Sequence, residues 1–275
     1  MNKLVSIILP TYNGASRIKE AILSVLAQSY QDWELLVIDD GSTDDTEKIV
    51  SEMFIHEPKI KYFKNEKNLG IQKTLNLGIK EAKGEYIARI DDDDAWIDVD
   101  KLRKQVEFLE KNEDYVLVGT GVIAVDENGQ EIFRRINPRS DMEIRSKILK
   151  NNCFVHSSVL FRKDACVKCF GYSSSEEVKH VEDYDLWLKM GKIGKFANLD
   201  DYSVKLFLRS GSISAVNKVD QLKKSIKLIR KFKDDYPSYL LSFISLSIRV
   251  IVASIFKLKI FKNVYNTLYT FYKNI

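Results

Sequence analysis

Two rhythms of apolar and polar positions run through the first third of this chain. Val5-Ser6-Ile7-Ile8-Leu9, Glu34 to Ile38, Ile60 to Phe63 and Tyr86 to Ile90 are short, largely apolar runs of strand length. Leu35-Leu36-Val37-Ile38 is four apolar residues in a row, as expected of a parallel strand buried on both faces. Between these runs the period lengthens. Ile18, Ala21, Ile22, Val25 and Leu26 fall on one helical face. A second helix is expected from about Asp45 to His56. A third is led in by Asn68-Leu69-Gly70, runs through Leu75 and Ile79, and has Gly84 near its C-cap. Pro10 is expected to end the first strand. Alternation of strand and helix implies a doubly wound, mostly parallel sheet.

Beyond Trp96 the pattern changes. Leu102, Val106 and Leu109 mark a helix, Val116 to Val125 is strand-rich, and Asp126-Glu127-Asn128-Gly129 reads as a hairpin turn. The expected organisation is an α/β half over 1–97, a mixed α+β half over 98–217 and a basic helical extension over 218–275. In that extension, Tyr239 to Phe256 is mostly apolar but interrupted by Arg249. Lys257 to Ile275 is amphipathic, with Phe261, Val264, Tyr265, Leu268 and Tyr272 on one side. A membrane span is disfavoured, because a charge in mid-segment costs about 2.5–3.5 kcal/mol on insertion scales. Two placements stay open: a helix lying in the membrane interface, or packing against the domain or a partner subunit.

Charge sharpens this division. The 275 residues carry +4 overall, but Lys218 to Ile275 holds twelve Lys/Arg against three Asp, a net of +9, which leaves −5 on the rest. An acidic front excludes the basic, aromatic-studded face of a nucleic-acid binder. Three cysteines give no disulfide framework, and the chain runs straight from Met1 into a strand, so a cytoplasmic location without a signal peptide is expected. Cys166-Val167-Lys168-Cys169 with Cys153 and His156 could be forced into a zinc site only by drawing ligands from different elements, and is disfavoured.

The strand Tyr86–Ile90 ends in Asp91-Asp92-Asp93-Asp94. Four adjacent carboxylates repel one another and cannot be buried unpaired, so they call for a cation. Oxygen donors suit Mg²⁺ or Mn²⁺, which keep positions open for phosphate oxygens. A solvated acidic loop is the plainer alternative. Against it stands a second acidic turn, Asp39-Asp40-Gly41-Ser42-Thr43-Asp44, after another apolar strand. Acids at the C-terminal ends of two parallel strands share the crevice where open α/β sheets bind ligands. No G-x-G-x-x-G or G-K-[ST] motif follows any strand, which disfavours a dinucleotide fold or a P-loop kinase.

The segments "VSIILPTYNG", "WELLVIDDGSTDDT", "NLGIQKTLNLGIKEAKGEYIARIDDDDAW", "HSSVLFRK" and "VEDYDLWLKM" together resemble the family-two inverting glycosyltransferases of the GT-A fold, in the branch that builds bacterial capsule, exopolysaccharide and lipopolysaccharide. The resemblance covers residues 3–212 in order, and it implies a nucleotide-sugar-binding half over 1–97 and an acceptor-binding, catalytic half over 98–217. It implies that Pro10, Thr11, Tyr12 and Asn13 cradle the nucleotide and that Asp40 hydrogen-bonds a uracil base. It makes Asp91-Asp92-Asp93 the D-x-D element, with Asp93 and Asp91 ligating Mn²⁺ or Mg²⁺ and Asp92 assisting at the ribose. Asp183 matches the general base. A plain helix-N-terminal role for Asp183 is compatible with that one. His156 would line the cleft or serve as a structural histidine, and Arg209 would meet a phosphate or make an ordinary salt bridge. The chain departs from the family pattern at the extra acid Asp92, at Phe170-Gly171 where a glycine pair is usual, and at Lys179-His180.

The implied partners are a nucleotide-sugar donor, most simply a UDP-sugar, and a glycan or lipid-linked acceptor at the inner face of the cell membrane, with a homo-oligomer left open. A sugar-nucleotide nucleotidyltransferase would need a Gly-rich basic loop near its start, and none is present. A non-catalytic nucleotide-sugar-binding scaffold of a membrane assembly complex is the other alternative, and joint retention of Asp40, Asp91, Asp93 and Asp183 argues against it.

Overall fold

Strand β1 (Val5–Thr11) lies parallel between β2 (Trp33–Asp39) and β4 (Tyr86–Arg89), and β3 (Ile60–Lys64) adds to the far side of β2. The computed structural model describes residues 3–54, 57–208 and 217–257. Helices α1 (Ile18–Leu26), α2 (Thr46–Phe54) and α3 (Ile71–Glu81) connect the strands. Alternate residues of β1 and β2 enter two separate cores. Ile7, Leu9, Leu35 and Val37 pack with Ile18, Ile22 and Val25 on the α1 face, while Ile8, Leu36 and Ile38 pack with Leu75 and Ile79 on the α3 face. This is why these strands read as unbroken apolar runs. Because α1 and α3 cover opposite faces, the winding reverses between β1 and β4, which opens a crevice at their C-terminal ends.

Pro10 does not end β1. The strand runs on to Thr11, with Pro10 opposite Ile38 of β2. The Thr11 carbonyl accepts from Asp40 N on the β2 side, so Pro10 faces the β4 side, where pairing has already stopped at Ile8–Arg89. A proline is tolerated there because no ladder bond needs its missing N–H. Gly84 is likewise not a cap: α3 closes at Ala82. Gly84 N donates to Ser6 Oγ at 2.8 Å, and a Cβ on it would come within 2.5 Å of the Leu4 carbonyl oxygen. It is glycine because the chain passes β1 at close range.

The sheet continues through the second half in the order β3-β2-β1-β4-β8-β6-β9-β5, with β7 paired to β6. Here β5 is Asp94–Trp96, β6 Tyr115–Val125, β7 Glu131–Arg135, β8 Leu160–Arg162 and β9 Lys195–Phe207. β8 is antiparallel to both β4 and β6, β9 is parallel to β6, and the expected hairpin at Asp126–Gly129 joins antiparallel β6 and β7. Helices α4 (Lys101–Lys111), α5 (Asp141–Lys147), α6 (Lys163–Lys168) and α7 (Glu182–Met190) complete this half.

Two helices follow, α8 (Lys218–Lys231) and α9 (Tyr239–Lys257). Leu222, Leu228, Ile229, Phe232, Tyr236 and Leu246 are buried in the same core as Trp187 and Met190 of α7. Tyr236 Oη donates to the Leu188 carbonyl at 2.7 Å. Packing on the domain therefore holds for α8 and for one face of α9. No helix among the described residues is long and apolar enough to cross a membrane. Arg209 and the amphipathic stretch beyond Lys257 lie outside the described residues.

Ile229 is fully buried. Ile229→Ala should cost about 2–5 kcal/mol of stability, the range for emptying a buried aliphatic site. Ending the chain at Asn217 should abolish the cooperative melt altogether, because it uncovers the core face of α7. Thermal denaturation of both variants beside the full chain checks this.

Candidate active site

The turns after β1 and β2 are laced to each other. Asn13 adopts a left-handed conformation (φ 49°), its N–H donates to Ser42 Oγ at 2.9 Å, and its Oδ1 accepts from Thr43 N at 3.0 Å. Gly14 N donates to Thr46 Oγ1 at 2.9 Å. A Cβ on Gly14 would sit 2.1 Å from Thr11 Oγ1 and 2.5 Å from Asp92 Oδ2, so only glycine fits above that pair. Thr11 Oγ1 donates to Asp92 Oδ2 at 2.7 Å, and Arg17 Nη2 pairs with the same oxygen at 3.0 Å. Asp92 thus points down into the β1 turn, and Tyr12 stands half-exposed at its rim.

Asp39 accepts from Ser42 N at 2.8 Å and from the Tyr62 hydroxyl, which closes the β2 turn. Asp40 is buried and accepts from Leu69 N at 2.8 Å, Gly70 N at 2.9 Å and Asn65 Nδ2 at 2.9 Å. It therefore fastens the lead-in to α3 against the end of β2. Gly41 is left-handed (φ 80°), and a Cβ there would meet the Lys67 backbone at 2.7 Å.

At the end of β4 a guanidinium is buried. Arg89, 2% exposed, donates to the Ile90 carbonyl and, from Nη2, to Asp91 Oδ1 at 2.6 Å; its Nε has no partner in the structure. Burial opposes the charged form of Asp91, but the Arg89 charge outweighs it and holds this carboxyl below its ordinary value. Ser157 Oγ lies 3.2 Å from Asp91 Oδ2 and also touches buried Asp94, and Trp96 Nε1 donates to the Ser157 carbonyl at 2.9 Å. Burial, with Asp91 next to it, pushes Asp94 well up. The four acids thus divide: Asp92 and Asp94 turn inward as structure, while Asp91 and Asp93 are less covered.

Asp183 stands in the first turn of α7, with Oδ2 accepting from Asn152 Nδ2 at 2.7 Å. Burial raises its carboxyl, and the Asp91 and Arg89 charges both act on it, so the base candidate lies within electrostatic reach of the acidic strand end. Glu182 beside it is buried with Oε2 unpartnered, and burial together with the Asp183 charge pushes it up to about 7. His156 Nε2 lies 2.7 Å from Tyr172 Oη, and burial plus the Arg89 charge lower the imidazole to about 3, so it is neutral.

The C-terminal ends of β1, β2 and β4 thus bring Thr11, Asp40, Asp91 and Asp93 to one edge of the sheet, and Asp183 interacts with Asp91 from α7. Pro10, Tyr12 and Asn13 shape the turn there, and Asp92 serves it from beneath. Arg89, Ser157, Asn152 and Tyr172 were not picked out in the sequence. Arg89 left a signal, a lone charge inside a buried strand; the other three left none.

Among the described residues, no three His, Cys, Asp or Glu side chains come together to hold a metal ion, and the three cysteines are separate buried thiols. Two oxygen-bearing residues at the strand end nevertheless suit a hard cation whose remaining ligands arrive on phosphate. The clefts of about 540 and 630 Å³ elsewhere on the surface are mixed-charge grooves away from this edge.

Residues 6–170 match the family model for Glycosyl transferase family 2. Over 251 residues the chain is 32% identical to the UDP-Glc:alpha-D-GlcNAc-diphosphoundecaprenol beta-1,3-glucosyltransferase WfgD of Escherichia coli, spanning 90% of this chain and 94% of that one. Among solved structures, S. aureus TarS 1-349 in complex with UDP-GlcNAc aligns with a TM-score of 0.73 at 21% identity, over 93% of this chain and 76% of that one. The mannosyltransferase PcManGT from Pyrobaculum calidifontis in complex with GDP-Man and Mn²⁺ aligns at 0.66 and 17%, over 98% and 84%. The shared architecture is the GT-A fold.

Glu182 titrates near 4.5 ordinarily and near 7 in the fold. The folded state holds this proton more tightly, so its stabilising contribution is complete below 4.5 and is lost as pH rises through about 7. Glu182→Gln, always neutral, should raise the melting temperature clearly at pH 8 and barely at pH 4. Melts across that range decide it; equal gains at both ends would show that the proton on Glu182 is not what matters.

Proposed function

Because this chain belongs to glycosyl transferase family 2, we propose that it moves a sugar, with inversion, from a UDP-sugar to a hydroxyl of a glycan or lipid-linked acceptor in cell-surface polysaccharide synthesis, working at the inner face of the cell membrane. The observation that carries this is that Asp183, in the first turn of α7, lies within electrostatic reach of Asp91, which follows β4. The names of WfgD and of the TarS complex support a UDP-linked donor, and the name of WfgD a lipid-linked acceptor.

In this reading the laced turns, with Thr11, Tyr12 and Asn13, receive the nucleoside, and Asp40 meets the base through its remaining acceptor positions while it keeps the α3 lead-in in place. Asp92 acts through Thr11 and Arg17, which hold the turn in shape for the ribose. Asp91 and Asp93 would hold Mn²⁺ or Mg²⁺, which supplies charge stabilisation for the departing diphosphate; the Mn²⁺ in the PcManGT complex supports the ion type.

The acceptor hydroxyl attacks the anomeric carbon on the face opposite the phosphate. The new C–O bond forms as the bond to phosphate breaks, the electron pair leaves on the diphosphate, and the hydroxyl proton passes to Asp183. Burial suits Asp183 to this task, because a raised carboxyl is a stronger base than an ordinary one. Asn152 fixes the orientation of that carboxyl through Oδ2.

Asp183→Asn keeps the Asn152 contact geometry but takes no proton. Turnover should fall at least ~10²-fold while UDP binding in calorimetry stays unchanged. A variant with near-normal turnover would remove Asp183 from the role. In the wild type, activity should fall with decreasing pH at a higher pH than an ordinary carboxylate would dictate, because the raised Asp183 protonates earlier. Asp93→Ala should leave UDP binding without metal intact and abolish its enhancement by Mn²⁺. Enhancement that survives in the variant would exclude Asp93 as a ligand.

A further inference from the structure

Helix α9 has two apolar faces, and the described residues cover only one of them. Ser242, Leu246, Val250 and Ala253 turn toward the domain. On the opposite side Leu240, Leu241, Ile244, Ile248, Ile251 and Ile255 lie between 42% and 71% exposed. At 100° per residue these six, with Val252, fall within about 120° of the helix circumference. No charged side chain interrupts this strip. Arg249, which counted against a membrane span in the sequence, lies on the far side of the helix, where it donates to Asn151 Oδ1 at 2.8 Å and to the Lys150 carbonyl at 3.3 Å. A continuous Leu/Ile/Val face of this kind is not left to water without a partner.

Charge selects among the partners. Lys218 to Lys257 carries nine Lys/Arg against three Asp, and Lys218, Lys223, Lys227, Arg230 and Lys233 are exposed. A second copy seated on the strip would bring this basic surface against its own like, whereas an anionic lipid surface answers both the charge and the apolar strip.

We propose that α9 docks this chain onto an anionic lipid surface through its exposed Leu/Ile/Val strip, while its opposite face holds the loop that carries the base support. Arg249 binds Asn151, and the next residue, Asn152, binds Asp183. Docking thus orients the acceptor side of the cleft toward the surface where a lipid-linked hydroxyl would be presented; that purpose rests on the function proposed above, and the docking itself does not.

The test uses the full chain with vesicles of phosphatidylcholine alone or with ~30% phosphatidylglycerol, read by co-sedimentation. Its variant is Ile244→Ser/Ile248→Ser/Ile251→Ser, at exposed positions outside the catalytic and nucleotide-binding machinery. The wild type should pellet with the anionic vesicles, less so at high salt. The variant should lose about ten-fold or more in apparent affinity, as removal of the buried apolar area dictates, with an unchanged melting temperature and unchanged UDP binding. A wild type that stays in the supernatant at low salt, or a variant that pellets equally well, overturns the proposal. So does a wild-type dimer in sedimentation that the variant dissolves, because the strip would then belong to a second copy. A wild type that pellets with the anionic vesicles but binds no UDP would sink the transferase reading and leave the docking standing.

Discussion

The buried guanidinium of Arg89 is the charge around which the cleft is arranged. Removing an arginine from water costs several kcal/mol unless a partner repays it, and the partner here is Asp91, 2.6 Å away. That pair sets the state of its neighbours. It holds the Asp91 carboxyl below its ordinary value, and Asp91 in turn pushes Asp94 up. The same positive charge keeps His156 neutral and tempers the rise of Glu182 and Asp183. Like-charged carboxylates brought together repel one another, and an internal cation offsets that repulsion. With Arg89 beneath them, the acids stay close together, and those nearest solvent remain available for a ligand.

The donor half was legible in the sequence because its physics is local. Strands buried on both faces must be apolar throughout, and the turn residues that follow them are the site itself, so Thr11, Asp40 and Asp91 fall where the apolar runs stop. The same locality misled at Pro10 and Gly84. Proline stops a strand only where a ladder bond is needed, and β4 had ended on that side. Gly84 answers to the nearness of β1, not to α3. The division of labour within Asp91–Asp94 was illegible for a related reason. Adjacent acids look alike in sequence, and only the distant Ser157, Thr11 and Arg17 show which of them turn inward.

Composition gave the extension a basic, apolar character but no address. Its helices have enough apolar residues to serve two surfaces at once, so packing and interfacial binding were never exclusive. In α9 the two sets separate by helical phase, with Leu246 at 3% exposure on one side and Ile251 at 59% on the other. Arg249, itself exposed, lies off the apolar strip, where a backbone carbonyl and an amide oxygen accept its protons.

The acceptor side departs most from local rules, and it is also where long-range contacts concentrate. Phe170 and His180 both hold left-handed conformations (φ 62° and 71°), at a cost of order 1–3 kcal/mol each for residues other than glycine. They bracket the segment that leads into Glu182 and Asp183. Strain of that size persists only where the surroundings hold both ends. From the donor half, Asn76 Nδ2 binds the Tyr172 carbonyl at 2.7 Å and Gln72 Nε2 binds the carbonyls of Ser173 and Ser175. From the extension, Lys224 Nζ reaches the Lys179 carbonyl at 3.1 Å and Lys231 pairs with Glu177 at 2.8 Å. Asp183 is therefore placed jointly by α3, α7 and α8, elements that span most of the chain. A carboxylate set this way can change its surroundings through the 170–181 segment while the turns after β1 and β2, fixed by their own hydrogen bonds, stay as they are.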